Sequence, residues 1–495
     1  MPIFQNQNLR QNLHIGKFVL PLVITIGSLL SSASFGSVPS SEKSAIHFKK
    51  VDSKEASKIR LSLLTGQNSV TNSISSSSLK TTDECEHFKS TLPKNYLQGY
   101  VAVPENSADP ESAKIQVFYY GILREGKPAV VFYNGGPGSD SHGSFQLVSR
   151  QADYGKFSFI FIDQRGTGCS SQFPSEFSET TLKRLTHYGS KGIVLDSEAV
   201  RKKVLGAEGN WKIFGQSYGG KIVHKYLTMH TENLLSAHSH GFSVMSDGHE
   251  WMLLRIQSQT RVLEDYLKEY PGDAQLIKKI QSKISGDLCF TDGDLKVCGP
   301  KVVDGLVMYL GFRYTWPTMH SLITAMLDSE GNLVQNNLNR FVRQIVFGVY
   351  GNNYVAGSVI GMSDMSTGEP TFDFCAEPMK RLKERGQNPE AWTLNECRLL
   401  AGMTNEKWDP LLKAMIEDKS ILDETTLDQV KMGLEKNPRL PFYLYAGALD
   451  VFVPQETFLE EVQFLGTRIN YSLFPLSGHE GFYSEPQIWQ DLARP

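Results

Sequence analysis

The segment Trp211-Lys212-Ile213-Phe214-Gly215-Gln216-Ser217-Tyr218-Gly219-Gly220 is a short apolar run ending in Gly-x-Ser-x-Gly. It passes into a stretch whose apolar residues, Ile222, Val223, Tyr226 and Leu227, recur at helical spacing. A strand that turns this abruptly into a helix needs small residues on both sides of the turn, so that the two elements can pass closely. Ser217 then stands at the tip with its hydroxyl exposed and a backbone N–H beside it, the geometry of a nucleophile. The pattern alone arises readily in a chain with 42 glycines, and its weight comes from the strand before it and the helix after it.

The rest of the chain repeats the theme. Short runs apolar on both faces, Ile115–Tyr120, Ala129–Tyr133 and Phe157–Ile162, precede the elbow, and Phe442–Ala446 and Arg468–Phe474 follow much later. Such runs suit strands buried in a parallel sheet, and the stretch Asp196–Leu205 reads as a crossover helix between them. The expected fold class is α/β, a mostly parallel, doubly wound sheet. Between about 247 and 436 longer amphipathic stretches dominate, such as 251–267 and 341–350, and they read as a mainly helical cap inserted late in the sheet. The expected organisation is core at 91–246, cap at 247–436 and core again at 437–495.

Residues 1–36 read as an export signal: Arg10 and Lys17 precede the apolar run Phe18–Leu30, and small residues follow. The run is short and broken by Pro21, which argues against a membrane span or a stable membrane partner. Residues 37–90, rich in Ser, Thr and Lys, read as a mobile lead-in. Six cysteines, an even number in an exported chain, favour disulfides. Locality pairs Cys289 with Cys298 and Cys375 with Cys397, leaving Cys85 and Cys169, although sequence leaves the connectivity open. With 50 Lys+Arg against 53 Asp+Glu, nothing suggests a nucleic-acid partner.

A serine hydroxyl needs a base, a group to orient that base, and donors for the oxyanion. Asp450 follows the strand that ends near Ala446, and His479 follows the next one, in Ser477-Gly478-His479-Glu480-Gly481. The order Ser, Asp, His is that of the α/β-hydrolase fold, with Asp247 a rival for the acid. Upstream lie Asn134-Gly135-Gly136-Pro137-Gly138, then Asp163-Gln164-Arg165-Gly166-Thr167-Gly168-Cys169-Ser170, then Asp196-x-Glu198-x-x-Arg201. With these four ordered motifs the chain resembles the prolyl aminopeptidase (proline iminopeptidase) family of α/β-hydrolase-fold serine peptidases, well over about 125–245 and moderately over 440–482, but little in the cap.

The resemblance implies Ser217 as nucleophile, His479 as base and then acid, Asp450 as its orienting carboxylate, and backbone N–H groups of Gly136 and Tyr218 as the oxyanion hole. It further implies release of N-terminal residues, often proline, from peptide substrates, with Glu250 as the acid that binds the substrate amine. No cofactor and no metal are called for; His238 and His240 lack the carboxylate or cysteine pattern of a metal site. Two departures matter. Asn134 stands where the family has His, and Asn134-Gly-Gly-Pro-Gly with the Ser-Tyr-Gly-Gly elbow is similar to serine carboxypeptidases, which hold the substrate carboxylate with the Asn and a Glu before the serine. Gln216 stands in place of that Glu, and its amide can still hydrogen-bond a carboxylate. The expectation is an exported serine exopeptidase acting as an aminopeptidase, with carboxypeptidase or carboxylesterase/lipase as alternatives and a purely binding protein disfavoured. Asp163 and Arg165 read as a structural pair.

Overall fold

The computed structural model describes residues 82–494 except 174–177, 245–246, 352–353, 366–374 and 418–424, all within one unit, Asn68–Pro495. The expected signal, residues 1–36, and nearly all of the lead-in lie outside the described residues. The end of that lead-in, read as mobile, is a helix, Thr82–Thr91.

Eight strands form the main sheet: β1 (Leu97–Pro104), β2 (Lys114–Ile122), β3 (Ala129–Tyr133), β4 (Ser158–Ile162), β5 (Trp211–Gln216), β6 (Leu234–His240), β10 (Phe442–Gly447) and β11 (Asn470–Phe474). Their order is β1-β2-β4-β3-β5-β6-β10-β11. β2 pairs antiparallel with β1 and β4, and from β4 to β11 all pairs are parallel. Both faces are covered, so alternate side chains enter two different apolar layers. Val131 and Tyr133 pack with Ile193, Ile222 and Tyr226 of the helices Ser190–Leu205 and Tyr218–Met229. Val130 and Phe132 pack with Phe161, Phe214, Phe482 and Trp489 on the other face. This double burial is why the strands read as continuous apolar runs.

The insertion has its own core, in which Val262, Ile277, Leu306, Trp316 and Phe341 meet. It is not wholly helical: β7 (Cys289–Asp292), β8 (Leu295–Cys298) and β9 (Met403–Asn405) make a small antiparallel sheet. The helix Leu427–Lys436 packs on the helix after the elbow, where a Cβ at Gly433 would stand 1.9 Å from the Leu227 carbonyl oxygen, and Val430 and Leu434 join the layer under the sheet. Val359, Ile360, Trp408 and Leu412, earlier in the insertion, join the same layer.

All six cysteines are paired, Cys85–Cys169, Cys289–Cys298 and Cys375–Cys397. The first fastens the helix Thr82–Thr91 to the loop after β4. Among the described residues no helix is long and apolar enough to cross a membrane.

Candidate active site

Ser217 follows β5 directly, with φ 58° and ψ −126°, the only non-glycine residue of positive φ among those described. The neighbours that permit this are glycines for steric reasons. A Cβ at Gly215 would lie 2.0 Å from the Gly219 carbonyl oxygen, and one at Gly219 would lie 2.1 Å from that of Tyr133. The strain is held by pairing on both sides: Ser217 N–H donates to His240 O (2.9 Å), and Gly220 N–H donates to Ser217 O (2.7 Å). A non-glycine residue in such a conformation, at the end of a central parallel strand, is the elbow the sequence foretold.

His479 and Asp450 reach the same place from the loops after β11 and β10. His479 Nδ1 lies 2.6 Å from Asp450 Oδ2, and Asp450 Oδ1 accepts the backbone N–H groups of Phe452 (2.8 Å) and Val453 (3.0 Å). Burial acts to raise the Asp450 pKa, but the imidazole and these donors outweigh it and hold the carboxyl below its ordinary value. An ionised, fully partnered carboxylate fixes the tautomer of the ring and leaves Nε2 for the proton transfers. Asp247, the rival acid, instead caps the helix Gly248–Glu269 by accepting from His249 N and Glu250 N.

Gln216 joins the Ser217 turn to His479. Its Nε2 donates to the His479 carbonyl (2.7 Å), and its Oε1 lies 2.7 Å from His240 Nδ1. Burial, with His479 nearby, pushes the His240 pKa down to about 3, so this second imidazole stays neutral and donates through Nδ1. The base is tethered at its other backbone group too, its N–H donating to Gly311 O of the cap (2.7 Å). Gly241, at φ +62°, lets the ring in: a Cβ there would lie 2.8 Å from His479 Cε1.

On the other side of Ser217 runs the loop after β3. A Cβ at Gly135 would stand 2.6 Å from the Ser217 Cβ, so the Gly135-Gly136 peptide adjoins the nucleophile, and Gly136 takes φ +65°. The Asn134 amide braces this loop by donating to Ser139 O (2.9 Å) and Gly135 O (3.2 Å). The Tyr218 hydroxyl donates to Asp364 Oδ2 (2.5 Å), a carboxylate of the cap helix Tyr354–Met365 that also accepts Ser190 N–H (2.6 Å).

The site thus gathers Ser217, His479, Asp450, the Gly135-Gly136 loop, Tyr218 and Gln216. Glu250 has other partners: its carboxylate, 41% exposed, lies 3.7 Å from Arg381 and 3.8 Å from Arg385. The remaining motifs build the scaffold. Asp163 accepts from Ser141 and from Cys169 N, Arg165 is bidentate to Asp196 (2.8 and 2.6 Å), and Arg201 is bidentate to Glu198 (2.9 and 2.8 Å). His142, Asp163 and Cys169 come within metal-ligating distance of one another, but the Cys169 sulfur is in a disulfide. Sequence reading missed Asp364, Gly311, Phe312, Phe452 and Glu480 as neighbours of the site. Glu480 follows the base in the sequence and could have been flagged; the cap residues carry no local pattern.

Residues 128–276 match the family described as alpha/beta hydrolase fold. The fold is that of the α/β hydrolases. Over 151 residues the chain is 26% identical to the proline iminopeptidase of Aeromonas sobria, an overlap of 27% of this chain and 34% of that protein. The chain therefore spans about a third of the length of the curated relative it matches. Among solved structures, an acetylester hydrolase from Corynebacterium glutamicum shares 12% identity at a TM-score of 0.43, covering 80% of this chain and 95% of that one. The proline iminopeptidase of Mycobacterium smegmatis shares 12% at 0.36, covering 80% and 96%.

Proposed function

We propose that this protein is an exported serine hydrolase that releases N-terminal residues from peptides through an acyl-enzyme. The observation that carries the hydrolase part is the 2.6 Å contact between His479 and a buried, fully partnered Asp450, with the His479 carbonyl accepting from Gln216, the residue preceding Ser217. In the reaction His479 Nε2 takes the Ser217 proton as Oγ attacks the carbonyl carbon, and the N–H groups of Tyr218 and the Gly135-Gly136 loop receive the oxyanion. His479 then passes the proton to the departing amine, and water repeats the cycle to free the acid.

Preference for a peptide amino terminus rests on the likeness to proline iminopeptidase and on the Asp163-to-Ser170 motif shared with that family. The carboxypeptidase alternative loses its support, because the amides of Asn134 and Gln216 brace loops. A second reading, carboxylesterase, is favoured by Glu250, whose carboxylate already faces two guanidinium groups. Export is supported by three disulfides.

One panel decides between them: a free-amine dipeptide, its N-acetylated form, its C-terminal amide and a short acyl ester. An aminopeptidase cleaves the free-amine dipeptide and its amide and spares the acetylated one. Rapid turnover of the ester with no peptide cleavage overturns the peptidase reading and leaves the esterase.

A further inference from the structure

Aromatic rings flank His479. Phe452, two residues after Asp450, stands edge-on to the imidazole at 5.1 Å, and Phe312 of the cap stands edge-on at 6.0 Å. Phe312 and Phe452 lie 5.8 Å apart, and Tyr314 continues the series 6.1 Å from Phe312. Phe312 and Phe452 are half-buried, while Tyr314 is 56% exposed, so the series leads from the base to solvent.

The track is rigidly placed. Gly311 is required for it, since a Cβ there would lie 2.1 Å from Phe452 Cε2, and the Gly311 carbonyl is bonded to His479 N–H. Arg313 N–H donates to Glu480 Oε1 (3.1 Å), and the Thr315 hydroxyl donates to Phe312 O (2.7 Å). The Arg313 side chain leaves the track, its guanidinium 4.0 Å over the Trp316 ring and paired with Glu269. The other cation at the track, Arg255, lies 5.4 Å over the Phe452 ring and is bidentate to Glu396, so its charge is already paired.

Resting on the reading of His479 as the acid that protonates the leaving group, we infer that Phe452, Phe312 and Tyr314 form the leaving-group subsite and select substrates with an apolar or aromatic group beyond the scissile bond. The chemistry fixes the side. The oxyanion donors lie across the elbow at the Gly135-Gly136 loop, whereas the departing nitrogen or oxygen takes its proton from His479 as its bond to the acyl carbon breaks, so that fragment leaves past the groups that flank the base. Half-buried rings there gain contact area only with an apolar leaving fragment.

The test varies the leaving group at constant acyl group: acetyl esters of methanol, butanol and 2-phenylethanol, and the dipeptides Ala-Gly, Ala-Leu and Ala-Phe. In the wild type, kcat/KM should rise on the order of ten- to a hundredfold along each series. Phe312→Ala should cut that gradient by about tenfold, Phe312→Leu should keep most of it, and Tyr314→Ala should have the smallest effect. Any change in hydrolysis of the common acetyl-enzyme should be the same for all three alcohols, whereas the gradient in kcat/KM is lost, which separates a leaving-group role from damage to the base or the fold. A flat or inverted gradient in the wild type, or a gradient untouched by Phe312→Ala, overturns the subsite. Turnover of the esters without the dipeptides, with the gradient present, refutes the aminopeptidase reading and sustains the subsite. Turnover of neither series refutes both.

Discussion

The sheet core and the inserted cap meet at His479, and they build their halves of the site by different means. In the core, the backbone does the work: Ser217 is held at positive φ by two hydrogen bonds and by glycines at 215 and 219 that stand where a methyl group would strike backbone. In the cap, side chains and single carbonyls reach in from separate segments, Gly311 to the base, Asp364 to Tyr218, and Phe312 to the imidazole. Steric necessity of the first kind leaves a mark on the local sequence. Tertiary reach of the second kind does not, and it leaves the cap free to set specificity while the core keeps the chemistry.

If the core carries the chemistry, its substitutions must have the largest effects. Ser217→Ala or His479→Ala should each lower kcat on the order of a millionfold, as members of one unit do, and the double variant should lose little more. Asp450→Asn should cost about ten-thousandfold by presenting the wrong tautomer of His479. Steady-state kinetics on the best substrate checks both, and a comparable loss in Asp247→Asn would move the acid to the cap boundary.

At the junction the effects should be intermediate. Gln216→Leu removes the donor to the His479 carbonyl and strands His240; a loss of roughly ten- to a hundredfold in kcat, with KM little changed, would mark a positioning residue. Equal effects on kcat and KM would instead place Gln216 against the substrate.

Glu480, beside the base and bonded to Arg313 N–H, tests the same junction through stability. Burial raises its pKa from 4.5 to about 7. The folded protein therefore binds this proton more tightly than the unfolded chain, and the contribution to stability is present at low pH and is lost as pH rises from about 4.5 to about 7. Glu480→Gln keeps an acceptor for Arg313 and removes the titration. Denaturant unfolding should show the variant gaining on the wild type across that window, on the order of 3 kcal/mol at pH 8. A constant difference at all pH values would mean that the carboxylate is solvated or paired.

The smallest effect belongs to the cap surface. Glu250→Gln should change kcat/KM for free-amine peptides by less than about threefold, since exposed ion pairs contribute little. A loss of ten- to a hundredfold would show Glu250 exchanging its arginines for the substrate ammonium, and would bring the cap into the binding of the amine.

These contrasts explain what could be read from the sequence. The strands, the elbow and the Ser, Asp, His order were legible because burial on both faces leaves continuous apolar runs and because close approach demands glycine. The disulfides Cys289–Cys298 and Cys375–Cys397 were legible from nearness in the chain, and Cys85–Cys169 then followed by elimination. The helix Leu427–Lys436 was placed in the cap because its amphipathic pattern cannot say which core it faces. Glu250 was chosen as the match to the glutamate that the resembling family has shortly after the strand following the elbow, and nothing local could reveal Arg381 and Arg385, more than a hundred residues further on. Gln216 was read as a substrate ligand because of the resemblance to serine carboxypeptidases; its partners are His240, at the end of β6, and the His479 carbonyl, in the loop after β11.

The central claim is that Ser217, served by His479 and Asp450, is the nucleophile of this protein. Treating the folded protein with a fluorophosphonate and mapping the adduct by mass spectrometry tests it without knowledge of the substrate. A single adduct on Ser217, absent in His479→Ala and present in Glu250→Gln, is the predicted result. An adduct on another residue, or none on a protein whose circular dichroism shows it folded, would contradict it.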